Sequence, residues 1–188
     1  MFRRFSPQFG VRHAVSVAWL ALSLCLPVDI QAQTVAQREE KIKAALIFKL
    51  IKFVDWPAEI MPGKLPIQVC ALGDTPVGRL LAEIDGKHVR DRTAQFHSVD
   101  GLSANDLRGC HVLYVLAGSR EIVGGLPPSL RRKGLLTISD APDFTRRGGI
   151  IGLVRSENKM AFEINLKAAR ENALEPSAPL LELATVVE

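Results

Sequence analysis

Three sets of residues have types and spacing that could do chemistry. The first is the histidines beyond residue 32, His88, His97 and His111, which are scattered over segments of strand character. No H-E-x-x-H and no G-x-S-x-G occurs, so neither a zinc hydrolase helix nor a serine elbow is written here. No spacing argues for a metal, no cofactor is called for, and no catalytic set holds together. The second is a pair of short turns. "GDTPVG", residues 73–78, follows one strand and precedes a helix, where α/β folds hold anions. It lacks the Gly-Lys-Ser/Thr ending of a phosphate loop, and its plain reading is a turn in which Asp74 or Thr75 caps a helix. "GSRE", residues 118–121, follows the next core strand. Asp74, Thr75, Ser119 and Arg120 are therefore expected at one edge of a sheet, where they could line a small-ligand crevice. The third set is the cysteines Cys25, Cys70 and Cys110.

The elements that must position these residues can be read from periodicity. Residues 38–54 follow a helical repeat. Arg38, Lys41, Lys49 and Lys52 fall on one arc of roughly 80° at about 100° per residue. Ile42, Leu46, Leu50, Phe53 and Val54 are expected on the apolar side. The basic arc reads as a solvated face, or as a partner-binding one. Pro57 pushes the residue before it out of the helical region, so the helix is expected to end near Asp55 or Trp56. Trp56 is expected to cover the core edge with its ring and give its N–H a partner; the rival reading is an exposed anchor for a binding partner.

Residues 67–73 read as a buried strand and 77–84 as a helix. Residues 87–99 read as a polar edge strand, and a capped turn is expected from Ser103. Residues 110–118 and 135–139 read as core strands, with the intervening 119–133 partly helical. "GGIIGLV" and "MAFEINL" form a hairpin about "RSENK". Asn165 is placed to cap one helix and Ser177 a last one around residues 180–186. The expected fold is α/β, a three-layer sandwich on a mixed, largely parallel sheet of about five to six strands. It is flavodoxin-like in general character and preceded by a long N-terminal helix.

Composition sets the compartment. Residues 1–14 carry Arg3, Arg4 and Arg12 and no acid, and residues 15–28 carry no charge. A basic start, an apolar stretch of about fourteen residues and a small residue at Ala32 make a secretory signal; the stretch is short of the roughly 20 that span a bilayer. The expected organisation is a signal in residues 1–32, cut near Ala32, and a single domain in 33–188. Without the signal the net charge falls from +4 to +2. That near-neutral balance gives no basic stripe for nucleic acid. Export also removes Cys25. Two remaining cysteines in an oxidising compartment point to a bridge of roughly 4 kcal/mol for a loop of about 40 residues; the alternative is two buried thiols. Ideal parallel register between the two strands would hold these residues too far apart.

The segments "KAALIFKLIKFVDWP", "IQVCALGDTPVG", "CHVLYVLAGS", "LLTISDAPDFTRRGGIIGLV" and "FEINLKAARENAL" resemble, in order and spacing, the YfiR-like family of exported bacterial proteins over residues 41–184. The resemblance implies a periplasmic regulator and not an enzyme. Its best-understood member type is a repressor that holds down an inner-membrane diguanylate cyclase through protein–protein contact. An outer-membrane partner can sequester that repressor. The resemblance also implies a disulfide at the positions of Cys70 and Cys110, and structural motif roles for Trp56, Pro57, Asp140, Pro142, Gly148, Gly149 and Asn165; the protein is expected to act as a homodimer. A second cysteine pair found in some members is absent from this chain. A periplasmic small-ligand sensor using the sheet-edge crevice is the alternative reading.

Overall fold

The computed structural model describes residues 29–157 and 159–187. The chain divides into two units, Met1–Ala36 and Gln37–Glu188, and the architecture below is that of the second. The expected signal up to residue 28, Cys25 included, lies outside the described residues. Among the described residues, no helix is long and apolar enough to cross a membrane.

The core is a sheet of the strands β2 (Ile67–Leu72), β3 (His88–Val89), β4 (Arg92–Val99), β5 (Val112–Val115), β6 (Leu136–Ser139), β7 (Ile151–Ser156), β8 (Lys159–Asn165) and β10 (Thr185–Val187). Their spatial order is β10-β8-β7-β6-β5-β2-β4-β3. The strands β4, β2, β5, β6 and β7 are mutually parallel neighbours, with pairs such as Cys70↔His97, Ala71↔Tyr114, Tyr114↔Ile138 and Ile138↔Ile151. Taken in chain order this is the 2-1-3-4-5 arrangement of flavodoxin-like folds. β8 returns antiparallel from β7 as the expected hairpin. The sheet is wider than the five to six strands expected because two short edge strands, β3 and β10, join it. β10 replaces the end of the helix expected over residues 180–186. The final helix α5 (Ala178–Leu183) stops earlier, and residues 185–187 pair parallel with β8.

The period of two divides the core into two layers. Val69, Ala71, Val112, Tyr114, Leu136 and Ile138 face one side, where residues 44–51 of α1 (Asp29–Ile51), α2 (Pro76–Ala82), α4 (Leu166–Glu171) and α5 pack. Cys70, Leu72, Leu113 and Val115 face the other, under Leu102, Leu107, Leu130, Phe144 and Ile122 of α3 (Arg120–Val123). Burial on both faces is why these strands read as continuous apolar runs. Polar side chains inside them tie down the connections. The Ile150 amide donates to Thr137 Oγ1 at 3.0 Å, and the Ala141 amide to Ser139 Oγ at 3.0 Å. Asn165 caps α4 as expected, its Oδ1 accepting from the Ala168 amide at 2.8 Å while its Nδ2 donates to the Thr145 carbonyl. The glycine pair after "DAPDF" has two separate reasons. Gly148 has φ +95, and a Cβ on Gly149 would fall 2.2 Å from the Phe144 ring.

The stop in "FKLIKFVDWP" does not come from Pro57. α1 ends at Ile51, and Lys52 and Phe53 tighten into a turn on the carbonyls of Lys49 and Leu50. The next two residues are captured as a strand: β1 (Val54–Asp55) pairs antiparallel with β9 (Glu175–Pro176), and the Ser177 amide donates to the Phe53 carbonyl at 2.8 Å. A long-range pairing thus ends the helix before the proline acts. Pro57 starts the following turn, its carbonyl accepting from Ile60 and Met61. Trp56 is half-buried against the α1-side core, and its Nε1 donates to the Gly134 carbonyl at 2.9 Å. Trp56→Ala should therefore cost about 3 kcal/mol in urea unfolding. Trp56→Phe keeps the ring and should cost only about 1 kcal/mol for the lost bond. An alanine variant that melts like the parent would contradict this role.

Candidate functional site

In this strand order the connections leave β2 and β5 in opposite directions, so the crevice outside their carboxyl ends is the topological switch point. Asp74 and Thr75 follow β2, and Ser119 and Arg120 follow β5. The topology brings the two pairs to the same edge, but among the described residues no hydrogen bond or ion pair joins them. Asp74, Thr75 and Ser119 are each turned on their own segment. Thr75 is buried, and its Oγ1 accepts from the Gly78 amide at 3.0 Å as the cap of α2. Asp74 is exposed and pairs with Arg79 at 2.6 Å. Ser119 Oγ donates to the Leu116 carbonyl at 2.8 Å, and Arg120 is exposed at the start of α3.

One strand away, the same edge carries a denser polar group. Asp140 stands just past β6. Its Oδ1 accepts from the Ala117 amide at 2.8 Å and from the Tyr114 hydroxyl at 3.2 Å, and its Oδ2 meets Lys43 Nζ of α1 at 2.6 Å. Lys43 also contacts Glu39 at 2.9 Å, and Glu39 in turn pairs with Arg155 of β7. The side chains of Lys43 and Asp140 are 13% and 9% exposed. Burial pulls the Lys43 pKa down, but its bonds to Asp140 and Glu39 more than offset that and raise it. The bond from Lys43 holds Glu39 below its ordinary carboxylate range. Burial, and then the Asp140 carboxylate, push the Tyr114 phenol well above its usual value. At neutral pH the group is thus a charged lysine, a charged glutamate and a protonated tyrosine. None is poised as a nucleophile or general base, and the arrangement clamps α1 to the sheet. Asp140 was picked out only as a family-motif residue, and its partner Lys43 was missed. The available signal was that Lys43 sits mid-way across the apolar arc of α1, between Leu50 and Ile47, where a cation needs a buried anion.

The outer side of α1 is different. Ile42 and Phe53, expected to face inward, are 43% and 44% exposed; the inward positions are Ala44, Ile47, Leu50 and Ile51. The inward arc is rotated because Lys43 is drawn to Asp140 and because Phe53 already lies past the helix end. Between α1 and α5 runs an apolar groove of about 180 Å³ lined by Leu46, Lys49, Leu50, Phe53, Phe162, Pro179, Leu180 and Leu183.

Cys70 and Cys110 are bonded, with Cα atoms 5.9 Å apart. The expected conflict with parallel register disappears because Cys110 precedes the paired part of β5. Its amide bonds Leu107 in the turn that crosses the face toward which Cys70 points. Next to the bridge, His111 Nδ1 accepts from the Gln68 amide at 3.0 Å. Burial, with the charges of Arg132 and Arg92, lowers its pKa to about 4. Among the described residues, no cluster of His, Cys, Asp and Glu could hold a metal ion.

Two outcomes follow. Lys43→Met and Asp140→Asn should each cost about 3 kcal/mol, because the first leaves the Asp140 carboxylate without its cation and the second leaves Lys43 with only the more exposed Glu39. The double variant should cost well under the sum, a coupling of about 2 kcal/mol in a double-mutant cycle; additive losses would dissolve the clamp. For His111 the folded pKa lies below the unfolded 6.5, so the unfolded chain binds the extra proton first. Stability should fall as pH drops from 6.5 to about 4, by about 2 kcal/mol after allowance for solvent. His111→Asn retains an acceptor for Gln68, and this part of the pH slope should vanish in it.

No curated protein matches the chain. The model of one family, described as YfiR/HmsC-like, matches residues 40–185, from the turn of α1 that carries the clamp through the first residue of β10. The chain belongs to the YfiR/HmsC-like family.

Proposed function

We propose that the protein is an exported, periplasmic regulator of the repressor type, which controls an inner-membrane diguanylate cyclase or a related sensor by protein–protein contact. The observation that carries this reading is the family match across nearly the whole folded unit. The Cys70–Cys110 bridge fits an oxidising compartment. The densest polar cluster supports a binding role, since its groups are spent on holding α1 and not on substrate. Such a regulator works by binding one state of its target better than the other; a tenfold preference shifts the target by about 1.4 kcal/mol. It acts as a homodimer, and an outer-membrane protein that sequesters it would release the target.

A small-ligand sensor is a second reading, supported by the meeting of the β2 and β5 ends at the switch point. In it Asp74, Thr75, Ser119 and Arg120 form the rim of the site, and a ligand there tunes affinity for the membrane target.

The test is to isolate the tagged protein with solubilised membranes from its own cells and to measure cyclic-di-GMP with and without its gene. The regulatory reading expects a membrane protein with a cyclase or sensor domain in the isolate, and cyclic-di-GMP that rises severalfold on deletion. Unchanged cyclic-di-GMP together with no membrane protein retained would overturn it.

A further inference from the structure

The outer arc of α1 carries Arg38, Lys41, Lys49 and Lys52 and no acid. The acids of this stretch of the helix lie elsewhere, Glu39 turned in to Lys43 and Arg155. None of the four cations has an ion-pair partner among the described residues; Lys52 lies over the Phe48 ring at 4.4 Å. On the flank of this arc, apolar side chains project outward. Phe53 is 44% exposed, Leu183 of α5 is 78% exposed, and both share the rim of the groove with Lys49. Ile42, one turn before Leu46, continues the ridge at 43% exposed. The one acid on α5 is Glu182.

We propose that this face, the cationic arc of α1 with Phe53 and Leu183 beside it, docks on an anionic lipid bilayer. Charge complementarity favours that occupant: four unpaired cations on one face match a surface of phosphate headgroups. Shape favours it as well. The floor of the groove is already closed by Leu50, Leu180 and Phe162, each at most 8% exposed, and the remaining 180 Å³ holds little more than one side chain. What the face offers is projecting apolar side chains among long flexible cations, the pattern of interfacial helices that bury an apolar edge and let lysines reach the headgroups. A knob-like protein partner would call for a deeper cleft. Docking in this way would hold the protein at the membrane surface. It does not depend on the regulatory reading.

The experiment is co-sedimentation of the purified protein with vesicles of equal parts phosphatidylglycerol and phosphatidylcholine, and with vesicles of phosphatidylcholine alone. No protein partner is present, so the result is independent of the test of regulation. Binding should occur on the anionic vesicles, be absent on the neutral ones and weaken as salt rises. Lys41→Glu/Lys49→Glu should reduce it roughly tenfold or more, and Leu183→Ser severalfold. Both variants change exposed side chains, and matching thermal melts would verify that they fold. No binding to anionic vesicles, or binding unchanged by the charge reversal, overturns the proposal. So does loss of regulation in Lys41→Glu/Lys49→Glu when the parent binds no vesicles, which would assign the face to an acidic protein partner.

Discussion

A single cation on the wrong side of a helix organises this protein. Lys43 lies among the inward positions of α1, where its charge would be costly if it met only apolar side chains. It meets Asp140 instead, a carboxylate already held by the Ala117 amide and the Tyr114 hydroxyl at the end of two neighbouring strands. Such a pair adds little net stability over an apolar contact of the same shape, but it is strict about position, because a shifted helix would leave two charges buried without partners. The placement of α1 across the sheet and the rotation that leaves Ile42 exposed depend on this register.

The remainder of the fold supplies a rigid support. The sheet is buried on both faces, its second face is closed by the disulfide between β2 and the approach to β5, and the His111 ring seals the Gln68 amide beside it. The polar groups that the fold collects at its edges are bonded to the chain itself: Thr75 to its own helix, Ser119 to its own turn, Asp140 to α1. A protein whose polar clusters are satisfied internally presents shape and charge outward. The chain that builds this support belongs to the YfiR/HmsC-like family.

Much of this was legible in the chain. Runs such as residues 67–73, 110–118 and 135–139 carry apolar side chains on both faces of the strand and no charged residue apart from what His111 could carry, the pattern of doubly covered strands. The hairpin about residues 155–159 and the cap at Asn165 are local, so their signals lie within a few residues. The elements that escaped are those decided from far away. The end of α1 is set by residues 175–177, more than 120 positions on, and not by the nearby Pro57. The last helix is expected around residues 180–186, but Thr185, Val186 and Val187 are β-branched and lie beside β8, whose open edge takes them as a strand. Phe53 reads as inward on a helical wheel, yet the helix has already ended there. Asp140 stood out in the motif, but its meaning came only with Lys43, 97 residues away. The edge that holds Asp74, Thr75, Ser119 and Arg120 was predictable from strand order, whereas the way Asp74, Thr75 and Ser119 each fold back on their own segment was not.

If the clamp sets the position of α1, its loss should free that helix before it affects the sheet. Amide hydrogen exchange, compared between the parent protein and Lys43→Met under native conditions, measures this directly. The account predicts that amides of residues 44–51 exchange much faster in the variant, through an opening confined to α1 and the β1–β9 pair, while those of β2, β5 and β6 keep their protection relative to global unfolding. Acceleration spread equally over the helix and the central strands, or none in α1, would contradict it.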